Sequence, residues 1–307
     1  MIKFSFVIPA YNEENNIPLI YDKLYKLMER MNGDFEILFI NDGSKDKTLE
    51  VLKDFATKDK RVKVLNFSRN FGHQAALTAG IDHAKGEAII TLDCDLQDPP
   101  EIIESMIKEW EKGYKIVYAR KVKRSDNFLK KYTALLYYKI VDNFSDVDIP
   151  RNVGDFRLTD RTVLESLRTM KEKSRYLRGM VAWLGYKYTF VDFDRPERIH
   201  GTTHYTWSKM IKLGMDGILN FSLIPLKMGF VLGLMSIFSG IFMIVYFIVD
   251  ITLNRVNYPL YKWIVVIIMM FVGFQFMLLW IMGEYIGRIY DETRDRPLYV
   301  LDEKINL

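Results

Sequence analysis

Short apolar runs alternate with helix-patterned stretches through roughly the first 120 residues, and this alternation restricts the fold more than any other feature of the chain. Phe4–Ile8, Glu36–Ile40, Val62–Phe67, Ala88–Leu92 and Lys115–Ala119 read as strands. Ile17–Met31, Lys47–Lys58, Gln74–Ala84 and Pro100–Lys112 read as helices. Strand–helix succession of this kind predicts an α/β fold, Rossmann-like, with a mostly parallel sheet covered on both faces. Ligands of such sheets bind beyond the carboxyl ends of the strands.

Three polar clusters fall at those ends: Pro9-Ala10-Tyr11-Asn12-Glu13-Glu14, Asn41-Asp42-Gly43-Ser44, and Asp93-Cys94-Asp95-Leu96-Gln97-Asp98-Pro99-Pro100. Singly, each fits a turn or helix cap. All three on one sheet edge, each with acids, point to a ligand. Carboxylates and an amide at the mouth of a buried strand need a cation to offset them, and hard oxygen donors suit Mg²⁺ or Mn²⁺ bound to a diphosphate. Such an edge also accepts ribose hydroxyls and base N–H groups. Asp98, beside Pro99, fits a turn or helix start. The single cysteine, Cys94, excludes an internal disulfide and reads as a packing residue. Neither a Gly-x-Gly-x-x-Gly fingerprint nor a phosphate loop is present.

Further along, Met228–Val249 and Trp263–Met282 are uncharged over about 22 and about 20 residues, long enough for two membrane spans. The flanking Lys209, Lys212, Lys227, Arg288, Arg294 and Arg296 would place both termini in the cytoplasm, and no N-terminal signal peptide is expected. The net charge of +4 suits an anionic lipid surface and calls for no nucleic acid. Gly229, Gly233 and Gly240 would allow close packing of spans and a homo-oligomer, with a tetramer as a guess.

The run Phe6–Glu14, with Ile40-Asn41-Asp42-Gly43-Ser44, Arg69-Asn70-Phe71-Gly72 and Asp93–Pro100, resembles family 2 glycosyltransferases. Taken with the apolar runs, the chain is most similar to polyprenyl-phosphate glycosyltransferases of the bactoprenol glucosyltransferase and dolichol-phosphate mannose synthase type. The resemblance implies an A-type glycosyltransferase fold and a nucleotide-diphosphate sugar donor. It implies that Pro9, Tyr11, Glu13 and Asp42 hold the nucleoside, that Asp93 lies beside ribose and diphosphate, and that Asp95 and Gln97, with Asp93, hold the metal. It also makes Asp155 the candidate catalytic carboxylate, Arg157 a charge partner near the reacting phosphates, and Arg198 a phosphate contact in the loop before the apolar runs. His200 and His204 in that loop lack the spacing and the Glu partner of a zinc site.

Tyr118–Arg124 is densely basic, and Arg120, Lys121 and Arg124 are candidate contacts for an acceptor phosphate. Phe128–Phe144 and Ser208–Phe221 read as amphipathic helices at headgroup level. The expected organisation is a catalytic domain over 1–205, interfacial helices over 206–227, a two-helix transmembrane hairpin over 228–287 (about 228–249 and 263–286), and a cytoplasmic tail over 288–307. The expected localisation is a bacterial plasma membrane, with the catalytic domain in the cytoplasm. The expected reaction is metal-dependent, inverting transfer of a hexose from a nucleotide-diphosphate sugar to polyprenyl (undecaprenyl) phosphate on the cytoplasmic leaflet. UDP-glucose is the first expectation for the donor, ahead of UDP-N-acetylglucosamine and GDP-mannose. A processive polysaccharide synthase would carry a Gln-x-x-Arg-Trp motif, absent here. A non-catalytic sugar-nucleotide sensor or scaffold would have lost its acidic positions, which are all present.

Overall fold

A computed structural model describes residues 2–31, 33–122, 149–150, 152–173, 175–194 and 260–307, together with 238, 242, 245, 246, 249, 252 and 253. Contacts group the chain into two units, Met1–Gly217 with Arg296–Leu307, and Ile218–Asp295.

The first unit is built on a sheet of order β7-β5-β6-β4-β1-β2-β3-β8. Its strands are β1 (Phe4–Ala10), β2 (Phe35–Asn41), β3 (Val62–Phe67), β4 (Ala88–Thr91), β5 (Ile116–Lys121), β6 (Val153–Asp160), β7 (Tyr188–Phe193) and β8 (Leu301–Ile305). Every residue of β1 and β2 is buried, as near-continuous apolar strands covered on both faces should be. The helices are α1 (Ile17–Met31), α2 (Thr48–Lys58), α3 (His73–His83), α4 (Ile103–Glu111), α5 (Arg161–Thr169) and α6 (Leu177–Trp183). Helix α1 buries Ile17, Ile20, Leu24, Leu27 and Met28, one apolar stripe at helical spacing.

Strands β1 to β4 are mutually parallel where they pair. The chain leaves β1 to one side through β2 and β3, then returns on α3 to lay β4 on the other side of β1. The β1/β4 junction is therefore a topological switch point, where a crevice opens at the carboxyl ends. The return requires close packing, because a Cβ on Gly80 of α3 would lie 2.2 Å from Val7 Cγ1 and 2.9 Å from Ile40 Cδ1. Two strands run against the rest. Strand β6 lies antiparallel between β4 and β5, and β8 lies antiparallel on the outer edge of β3. The expected α/β, mostly parallel architecture is thus observed.

In the second unit, the described residues include one long helix, α7 (Leu260–Thr293, 34 residues). The expected transmembrane hairpin is corrected: among the described residues no helix is long and apolar enough to cross a membrane. Of the first expected span, 228–249, only Phe238, Phe242, Val245, Tyr246 and Val249 are described. The second lies within α7, whose described side chains include Gln275 and which continues unbroken through Glu284, Arg288, Asp291 and Glu292, with Arg288 paired to Glu284 at 3.7 Å. An uncharged run of about 20 residues is necessary for a span but does not make one by itself. The expected two-span plasma-membrane localisation is corrected with it, because it depends on those spans. Phe128–Phe144, Ser208–Phe221, Gly229, Gly233 and Gly240 lie outside the described residues.

Candidate active site

The loops after β1 and β2 are joined through their own polar side chains. Asn12 N–H donates to Ser44 Oγ at 3.0 Å and Asn12 Oδ1 accepts from Lys45 N–H at 2.9 Å. Glu13 N–H donates to Thr48 Oγ1 at 2.9 Å, and Glu14 Oε2 accepts from Lys47 N–H at 2.9 Å. Asn12 holds φ 57°, a left-handed conformation that Asn tolerates. Pro9 is buried in β1, and Tyr11 and Glu13 follow it at the rim. Asp42 is buried, and its carboxylate accepts N–H bonds from Phe71 (2.7 Å) and Gly72 (3.0 Å). Burial pushes its carboxyl above the usual range, and the two N–H donors oppose that shift. Asp42 thus ties the Arg69–Gly72 segment to the β2 loop. Gly43 (φ 64°) completes the junction, since a Cβ there would stand 2.4 Å from the Arg69 carbonyl carbon.

The acidic loop after β4 closes on itself. Asp98 Oδ2 accepts Asp93 N–H at 3.1 Å and Asp95 Oδ1 accepts Gln97 N–H at 3.1 Å, with Leu96 at φ 60°. Burial, reinforced by the charge of Asp93, pushes the Asp98 carboxyl up to about 7. Asp98 is therefore a loop-closing residue, in line with its expected turn role. Cys94 is buried and its thiol is pushed well up by that burial and by Glu13, Asp95 and Asp93, which suits packing and opposes nucleophilic use. Among the described residues no group of three or more His, Cys, Asp or Glu could hold a metal by itself. Asp93, Asp95 and Gln97 provide two carboxylates and an amide, a donor set that fits Mg²⁺ or Mn²⁺ when phosphate oxygens and water complete the shell.

Because β6 is antiparallel to β4, its first residues meet the carboxyl end of β4. Thr91 pairs with Arg157, and Thr91 Oγ1 donates to the Asp155 carbonyl. This places Asp155 beside Asp93 although they are distant in sequence. Two side chains that the sequence did not single out complete the cluster. Arg178 of α6 grips Asp155 with both arms, Nε to Oδ1 at 3.1 Å and Nη2 to Oδ2 at 2.8 Å. His73, the first residue of α3, sets Nε2 at 3.5 Å from Asp155 Oδ2 and 3.7 Å from Asp93 Oδ1. Burial would raise the Asp155 carboxyl, but Arg178 and His73 outweigh it and hold the group well below the usual carboxylate range. For His73, burial would lower the pKa, and the acids Asp155 and Asp93 instead push it up to about 9. The sequence signal for His73 was its place directly after Arg69-Asn70-Phe71-Gly72; Arg178 carried none.

Arg157 is 1% exposed, and its Nη1 and Nη2 have no hydrogen-bond partner among the described residues. Burial lowers its pKa. A buried guanidinium with two unused donor nitrogens is costly unless an anion meets it. The other expected phosphate contacts diverge. Arg120 is exposed and forked onto Asp192, Nε to Oδ1 at 2.6 Å and Nη2 to Oδ2 at 3.0 Å, with its guanidinium 4.6 Å from the Phe190 ring centre. Lys121 stands nearer the acidic loop, where its charge opposes the upward shift of Asp98. Arg124, Arg198, His200 and His204 lie outside the described residues.

The sequence model of glycosyl transferase family 2 matches residues 5–168. An uncharacterized glycosyltransferase of Bacillus subtilis, YkcC, is 45% identical over 309 residues, covering 100% of this chain and 95% of its own length. A prophage bactoprenol glucosyl transferase homolog of Escherichia coli is 39% identical over 301 residues, covering 98% of each chain. Among solved structures, mannosyl-3-phosphoglycerate synthase from Rubrobacter xylanophilus overlaps 70% of this chain and 71% of its own at a TM-score of 0.49 and 15% identity.

Proposed function

The chain belongs to glycosyl transferase family 2 and is a glycosyltransferase, and from that membership and the geometry of its site we propose that it transfers a hexose from a nucleotide-diphosphate sugar to a polyprenyl phosphate. The lipid-carrier acceptor is drawn from relatives named as bactoprenol glucosyl transferases. UDP-glucose is the first donor to test, ahead of UDP-N-acetylglucosamine and GDP-mannose.

In this reading, Pro9, Tyr11, Glu13 and Asp42 form the nucleoside side of the crevice, and Asp93 stands where ribose meets diphosphate. Asp93, Asp95 and Gln97 would hold Mg²⁺ or Mn²⁺, which neutralises charge on the departing diphosphate. A phosphate oxygen of the lipid attacks the anomeric carbon in line. The bond from that carbon to the diphosphate breaks, its electron pair leaves with the nucleotide, and the configuration inverts. Asp155 orients the reactants and takes no proton: a carboxylate held ionised by Arg178 and His73 is a poor base, and a lipid phosphate is already an anionic nucleophile. Arg157, with Lys121 farther out, stabilises phosphate charge.

The observation that carries this reading is that Asp155, held ionised, and Arg157, whose buried Nη1 and Nη2 have no hydrogen-bond partner among the described residues, share one face of β6 beside the acidic loop of β4. Purified full-length protein, Mg²⁺ or Mn²⁺, labelled UDP-glucose and undecaprenyl phosphate should yield a chloroform-soluble labelled lipid, and Asp95→Ala should abolish it while leaving the melting curve intact. No labelled lipid with any of the three donors would sink the proposed reaction. A fully active Asp95→Ala would remove that residue from the metal.

A further inference from the structure

We propose that Asp302 of the carboxyl-terminal strand β8 is a positioning residue for the donor site, acting through a chain of oriented amides; this rests on the reading that the loops of Tyr11, Glu13 and Asp42 bind the nucleoside. Strand β8 pairs with β3 as Asn66 with Glu303 and Phe67 with Leu301, so Asp302 is the extra residue of a bulge. Bulges re-aim side chains. Here the bulge sends the Asp302 carboxylate back over the sheet edge, where Oδ2 accepts Asn66 Nδ2–H at 3.2 Å. Asn66 Oδ1 then accepts Asn41 Nδ2–H at 2.7 Å, and Asn41 Oδ1 accepts Ser44 N–H at 3.3 Å. Ser44 Oγ in turn accepts the N–H of Asn12, between Tyr11 and Glu13.

The polarity of this relay is set at its outer end. An amide side chain can flip, exchanging donor for acceptor, whereas an ionised carboxylate only accepts. Asp302 therefore turns the NH₂ of Asn66 outward, which presents an oxygen to Asn41, which in turn presents its own oxygen to the β2 loop. Asn41 and Asn66 are both buried, at 2% and 6% exposure, so a reversed amide there would leave donors facing donors. Nearby contacts hold β8 in register: Asn306 Nδ2 donates to the Ala56 and Val62 carbonyls at 2.6 and 2.9 Å, and Lys53 pairs with Glu303 at 2.6 Å.

The test uses full-length protein titrated with UDP-glucose, UDP-N-acetylglucosamine and GDP-mannose in Mg²⁺, with KM and kcat measured for the donor that binds. Asp302→Ala should raise donor Kd and KM by about three- to tenfold, the scale of one part-buried hydrogen bond, with kcat unchanged. Asp302→Asn keeps an acceptor oxygen and should stay within about twofold. Asn66→Asp sets two carboxylates against each other and should weaken donor binding, whereas the swap Asn66→Asp with Asp302→Asn lets the amide at 302 donate to the carboxylate at 66, which still accepts from Asn41, and should recover it, an effect that loss of stability alone would not produce. Tyr11→Ala is the reference. Wild-type donor affinity in Asp302→Ala, or no recovery in the swap, while Tyr11→Ala is impaired, overturns the relay alone. Undiminished binding by Tyr11→Ala overturns the donor-site reading beneath it.

Discussion

Asp155 sits where the fold favours the ionised carboxylate and constrains its geometry. Arg178 occupies both of its oxygens and His73 approaches one of them, so its lone pairs are directed before any substrate arrives. Asp155→Asn should lower kcat about a hundredfold or more, the scale of losing one preorganised electrostatic contact, with a smaller change in donor KM. The same cluster should shape stability in metal-free buffer. The raised pKa of His73 makes a contribution fully present below its unfolded value of 6.5 and lost as pH rises through about 9. The depressed pKa of Asp155 acts at the other end, with stability present above 3.8 and lost as pH falls through its lower folded value. Denaturant titrations in EDTA should therefore show stability declining between pH 6.5 and about 9, and His73→Gln should flatten that decline. An unchanged slope in the variant would separate His73 from the two acids.

At the scale of elements, the site depends on two placements: α3 pressed onto β1, and β6 reversed beside β4. Gly80 permits the first, because any side chain there meets Val7 and Ile40. Gly80→Val should cost about 1–3 kcal/mol by overpacking, read as a lower Tm, and should also weaken activity because α3 carries His73 at its first turn. Normal Tm with normal turnover would mean that α3 has slack at this point. The parallel strands and their helices were legible in advance because strand and helix periods differ and their apolar residues are strong markers. Ala88–Leu92 and Val62–Phe67, for example, needed almost no adjustment. Pairing was less legible. Asp155 and Arg157 alternate with apolar residues and could be placed on one strand face, but nothing local says that this strand inserts backwards between β4 and β5. Arg178 was missed because a seven-residue helix far along the chain carries no motif.

For the whole molecule, the carboxyl-terminal segment matters beyond its length. Residues 301–305 return to the sheet and cover the edge of β3, which would otherwise expose unpaired backbone groups. Tyr299 adds to this by stacking on Phe67 at 5.2 Å and donating to Asp82 at 3.0 Å. Deletion of residues 296–307 should lower Tm and increase light scattering on standing, because an open edge strand pairs with other copies. A monodisperse deletion with unchanged Tm would show that β3 needs no cover. A tail of alternating polar residues, Leu301-Asp302-Glu303-Lys304-Ile305, gives little sign of this role, since an edge strand buries few side chains.

By itself, the sequence determined the α/β class, the crevice edge and the family, because those follow from apolar periodicity and from ordered local motifs such as Asp93–Pro100. Contacts between distant segments were decided only in three dimensions. The tertiary structure joined Asp93, His73, Asp155 and Arg178, buried Arg157 with its Nη1 and Nη2 unpartnered among the described residues, and brought Asp302 to Asn66. Among the described residues it showed no helix long and apolar enough to cross a membrane, and α7 continues into charged residues. The physical reason is common to all of these. Periodicity reports which face of a segment avoids water, whereas charge pairing and strand order depend on which other segment arrives at that face.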